Sequence, residues 1–179
     1  MSCGNEGGDY EKNIKRVETL LKENRGAELN WKFEAFPEEN HVSMVIKSAY
    51  NSLSFIYRHW GLEDAPKKTI AEIEEHYKKL TQRFGYKIEV PVRLISGKVY
   101  FAVNEKRYHD ALKVNRFGIR LYPNLSRFYV GLAESYEHLK KYKEALDSFK
   151  EALKRETDHA SPAATRIKEN IKRLNSVGK

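Results

Sequence analysis

The chain reads as a mainly α protein in which a short β/α unit precedes an array of helical hairpins. Three patterns predict this. Apolar residues recur at alternating spacings of three and four over most of the sequence, which places them on one face of successive helices. Tyr108-His109-Asp110-Ala111-Leu112 returns as Tyr142-Lys143-Glu144-Ala145-Leu146, an internal repeat. One segment breaks the helical period: Leu29, Trp31, Phe33 and Ala35 alternate with Asn30, Lys32 and Glu34, the period of a strand with one wet face.

Composition narrows the function classes. The chain has 179 residues, 40% of them hydrophobic and 12% aromatic, enough for a folded core. No apolar run approaches the ~18 residues of a membrane span, and the first thirty residues hold no hydrophobic export region. Cys3 is the only cysteine, so an internal disulfide and a multi-cysteine metal site are excluded. The net charge of +8 is spread among glutamates, as in Lys140-Lys141-Tyr142-Lys143-Glu144, with no block of five like charges. This is the charge of a solvated helical surface, and no nucleic-acid or membrane partner is expected. No metal or organic cofactor is implied, and the compartment stays open.

Taken in order, Asp9 is placed to cap a helix from Tyr10 that carries Ile14, Val17, Leu20 and Leu21 on its apolar stripe. Asn24-Arg25-Gly26 stops it. The alternating strand follows and ends at Pro37. A loop with His41 leads to a helix that Ser43 can cap, running to about His59 with Ile46, Tyr50, Leu53, Tyr57 and Trp60 on one side. A lone strand is unstable. The helix-to-strand order asks for a preceding parallel strand, and only Met1-Ser2-Cys3 remains to supply it.

These residues carry a resemblance. Gly4-Asn5-Glu6 and Phe36-Pro37-Glu38-Glu39-Asn40-His41-Val42-Ser43 resemble two loops at the C-terminal end of the α/β-hydrolase serine esterases related to enterobactin-type siderophore esterases. In that family the triad acid follows the penultimate strand and the His follows the last. The resemblance implies acyl transfer on a small ester substrate in an intact protein, with His41 as general base and Glu6, or else Asp9, orienting its imidazole. The Gly-x-Ser-x-Gly elbow that presents the nucleophile is missing, since none of Ser43, Ser48, Ser52 or Ser54 has the flanking glycines. On this reading residues 1–60 are the end of a truncated α/β-hydrolase unit, inactive alone.

Residues 61–90 form a turn-rich linker and a bridging helix. Thr69 and Glu72 fit a capping box, Ile70, Ile73, Tyr77, Leu80 and Phe84 make the stripe, and Gly85 closes it. Residues 91–179 resemble tetratricopeptide (TPR) repeats, whose period matches the offset noted above. The second repeat, from Ser126, fits through Tyr129, Leu132, Ala133, Tyr136, Leu139, Tyr142, Ala145, Phe149, Ala152 and Leu153. The first, from about Val92, fits through Ile95, Val99, Ala102, Tyr108, Ala111 and Pro123. Lys98, Asn115 and Gly118 depart from it, as in a repeat packed partly against the bridging helix. Ser161-Pro162 begins a capping helix with Ile167, Ile171 and Leu174 inward. Such arrays present concave surfaces to a peptide or protein partner, and Asn104, Asn115 and Arg120 are candidates to face one. The alternative to the esterase fragment is therefore a non-enzymatic TPR adaptor.

Overall fold

A computed structural model describes residues 2–5, 8–24 and 30–177. Among these the chain is mainly α, with eight helices and one two-stranded sheet, and it divides into two compact units, residues 1–61 and 62–179.

In the first unit β1 (Ser2–Cys3) pairs in parallel with β2 (Glu34–Ala35), Ser2 against Glu34 and Cys3 against Ala35. The helix α1 (Gly8–Glu23) connects them, and α2 (Met44–Ile56) follows. Ser2 and Cys3 thus supply the parallel partner that the order of elements demands. The strand is shorter than the alternation from 29 to 35 predicts, because ladder bonds exist only where β1 lies opposite. Helix α1 begins at Gly8, in the left-handed region at φ 61, so Asp9 lies inside the first turn instead of capping it.

The start of α2 also differs from expectation. Asn40 is the residue that caps this turn: its side-chain oxygen accepts from the N–H groups of Val42 and Ser43, both at 2.9 Å. Ser43 Oγ answers by accepting from the Asn40 N–H at 3.0 Å, the reciprocal logic of a capping box. Ser43 itself makes no forward cap. The apolar stripe of α2 is open: Ile46, Tyr50 and Leu53 are 81%, 72% and 56% exposed.

The second unit opens with α3 (Ile70–Phe84), which starts on the Thr69/Glu72 capping box and stops at Gly85, φ 72. Its Ile73, Tyr77 and Leu80 enter one core with Val90, Ile95, Val114, Phe117 and Phe128. Helix α3 is therefore part of this unit's core, and the first hairpin packs on it. That hairpin is α4 (Val92–Asn104) with α5 (Tyr108–Leu121), and the second is α6 (Ser126–His138) with α7 (Tyr142–Lys154). From α4 onward each helix packs on the next in sequence, ending with α8 (Pro162–Val177) on α7, and α4 also meets α6. This is the nearest-neighbour stacking of a helical-repeat array.

The repeat extends to the backbone. Lys106 and Lys140, both at the turn within their hairpin, take left-handed φ of 56 and 59. Next to them the Arg107 N–H donates to Ala102 O at 2.8 Å and the Lys141 N–H to Tyr136 O at 2.9 Å, the bond that reclaims an orphan carbonyl at a helix end. Ala111, Ala133, Ala145 and Ala152 are fully or almost fully buried, which lets the paired helices approach, while Phe149 fills the space beside them. Gly118 is required for the same reason. A Cβ there would fall 2.5 to 2.7 Å from the ring of Phe128, so the departure of Gly118 from the repeat pattern makes room for an aromatic plug.

Candidate functional site

Two places in the chain gather candidate residues, one in each unit. In the first, the loops that follow β1 and β2 meet side by side. The Asn5 N–H donates to Glu39 O at 2.6 Å, and the Phe36 N–H donates to Cys3 O at 2.8 Å. Gly4 sits so close that a Cβ would lie 2.6 Å from Glu39 O and 3.1 Å from Asn40 O. Parallel strands place their following loops at the same edge of a sheet, where ligands of α/β proteins bind. His41 lies in this cluster, one residue past the capping Asn40, and is exposed. Lys47 and Ser43 both bond to the Glu39 carboxylate and hold it below the usual carboxylate range. Ser2 and Ser48 share a hydrogen bond that ties β1 to α2. Glu6, the expected acid, lies outside the described residues. Asp9 is exposed on α1 and pairs with Lys12 at 3.6 Å.

In the second unit a groove of about 560 Å³ runs over α4, α6 and α8, the first helix of each hairpin and the cap. Its apolar lining comes from Val99, Val130 and Ile167, and its polar lining includes Asn115, Glu134, Arg166 and Asn170. A second hollow of about 570 Å³ continues along the same helices through Val103, Glu137, His138 and Arg173. Cross-helix ion pairs set the charge pattern. Arg166 meets Glu134 at 3.0 Å and Arg173 meets Glu137 at 2.8 Å, both joining α8 to α6. The pairing with Glu137 raises Arg173 above its ordinary pKa. Both pairs are accessible to a ligand that offers a competing carboxylate or amide.

Of the expected groove residues, Asn115 lines it and Asn104 and Arg120 do not. Asn115 is 1% exposed and donates to Ala111 O at 3.0 Å, so it shapes the floor more than it offers hydrogen bonds. Arg120 turns to Glu74 of α3 at 2.7 Å and lies over the Phe117 ring. The sequence reading missed Glu134, Arg166 and Asn170. The repeat offset links only α4 and α6: Ser96 and Val130 stand 34 residues apart and both line the groove, but the same step into α8 lands on Ala164 and gives no signal for Arg166 or Asn170.

Among the described residues no group of three or more His, Cys, Asp or Glu side chains is arranged to hold a metal ion, and no helix is long and apolar enough to cross a membrane. No family model matches the chain, and no curated protein matches it. Among solved structures, PcrH from Pseudomonas aeruginosa aligns with 70% of this chain and 92% of its own, at 18% identity and a TM-score of 0.45.

Proposed function

We propose that residues 62–179 form a binding module for a peptide segment of a protein partner, held in the groove over α4, α6 and α8. The observation that carries this is the groove itself: an apolar floor of Val99, Val130 and Ile167 flanked by the Arg166–Glu134 and Arg173–Glu137 pairs. An extended or helical segment would bury apolar side chains on that floor and exchange polar contacts with the flanking pairs. Panning a displayed peptide library against the full chain tests it. The expected result is a family of related sequences that fails to bind a Val130→Trp variant. Enrichment equal on the wild type and on that variant would refute the groove as the site.

A second reading concerns residues 1–61 and is favoured by the contact between the Gly4-Asn5 and Glu39-Asn40 loops. We infer that this unit is the His-bearing end of an acyl-transfer site of the α/β-hydrolase kind, with His41 as general base, Glu6 as its acid and an ester as substrate. The nucleophilic serine would come from outside these residues, and the exposed Ile46, Tyr50 and Leu53 face of α2 suits packing against further hydrolase structure. In a protein carrying this unit with such a serine, His41→Ala should cut ester hydrolysis by roughly 10³-fold or more. An unchanged rate would remove His41 from the chemistry.

A further inference from the structure

A separate cavity of about 500 Å³ opens where the segment before α3 meets α4 and α5. Five cations line it: Lys67, Lys68, Lys98, Arg107 and Lys113. Against them stand Asp110 in the lining and, at its margin, Glu72 on Lys68 and Glu105 on Arg107. The hollow thus keeps an excess of two positive charges. Ile70, Ala71, Ala102 and Val114 provide an apolar wall beside the charges.

We propose that this cavity binds the phosphate of a small organic phosphomonoester, its carbon portion resting on the apolar wall. The dianion matches the charge excess. Arg107 bonds Glu105 through Nε and Asp110 through Nη1, at 2.7 and 2.8 Å. It offers its remaining guanidinium N–H groups, while the lysines supply point charges, the two donor types that hold phosphate oxygens. Lys98 is the centre of the site. Its ammonium has three donors, one of which goes to the Pro66 carbonyl at 2.8 Å. Burial first, then the neighbouring Arg107, push it below the ordinary lysine pKa. Asp110 and Glu72 offset part of this shift, and a bound dianion adds counter-charge against the remaining cost. The cavity is distinct from the groove over α4, α6 and α8, and this inference does not depend on peptide binding there.

Amide shift titration of the full chain with phenyl phosphate, inorganic phosphate and sodium chloride at matched ionic strength tests the assignment. Phenyl phosphate should give saturable shifts confined to residues 66–71, 98–102 and 107–114, with affinity about tenfold above inorganic phosphate from the added apolar contact. Lys98→Met should weaken it about tenfold, while its melting temperature without ligand stays equal or rises. The exposed Lys113→Gln, which leaves the core untouched, should weaken it about threefold. Shifts that follow ionic strength alone, shifts centred on Arg166, or equal affinity of both variants and wild type would each overturn the proposal. So would binding of a phosphoserine peptide with none of phenyl phosphate.

Discussion

The carboxamide of Asn115 occupies the space that a side chain at position 131 would fill: a Cβ on Gly131 would come within 3.0 Å of the Asn115 Cγ and Nδ2 and closer still to its oxygen. One residue is on α5 and the other on α6, and both line the groove. The pair therefore sets how closely the second hairpin approaches the first, and so the width of the binding surface.

Gly131→Ala separates packing from propensity at this contact. An alanine within a helix gains up to about 1 kcal/mol over glycine, whereas overpacking a tight contact costs about 1–3 kcal/mol. The expected outcome in denaturant titration is a net loss. A stabilised variant would show that Asn115 moves aside freely.

Lys106 and Lys140 test the repeat at the backbone. Each holds a left-handed φ that glycine adopts without strain. Lys106→Gly and Lys140→Gly should each stabilise by about 0.5–1 kcal/mol, measured by chemical denaturation. Loss of stability in either would contradict the turn geometry.

The start of α3 has an acid signature. Bonds from the Thr69 backbone and side chain, and from Lys68, lower the Glu72 carboxyl to about 2. Its folded pKa lies below the unfolded one, so the stabilisation is full above the unfolded value of 4.5 and is lost as pH falls toward about 2. Melting temperatures from pH 6 down to pH 2.5 should fall more steeply for wild type than for Glu72→Gln. Parallel curves would remove the capping box from the account.

In the first unit the cap and the histidine beside it should part company. Asn40→Ala removes the acceptor for two N–H groups and should cost about 1 kcal/mol. His41→Ala, at an exposed position, should change stability by less than about 0.5 kcal/mol. Hydrogen exchange over residues 40–48 reads both. A large effect of His41→Ala would make it a structural residue.

Much of the fold was legible because periodicity reports burial directly. The helical stripes of α3 to α8 and the 34-residue recurrence are local features, and tertiary packing agrees with them. The β/α unit was legible in its order but not in its caps. Asp9, Asn40 and Ser43 are all good capping residues, and three-dimensional turn geometry alone decides which one accepts the bonds. The groove was legible only as a kind of surface. Arg120 shares a helix with Asn115, yet Glu74 of α3 draws it to the other side, a contact between residues far apart in sequence. Arg166 and Asn170 escaped notice because α8 carries no repeat signature of its own.

The affinity of a panned peptide for variants in the groove and on the exposed side of α7 measures the central claim most directly. Arg166→Glu breaks the pair with Glu134 and places a repelling charge beside the apolar floor, so it should weaken binding at least about tenfold. Lys150→Glu, on the exposed side of α7, should leave the affinity within about twofold. Equal loss in both variants would mean that net charge governs binding, and no loss with Arg166→Glu would place the peptide somewhere other than the groove.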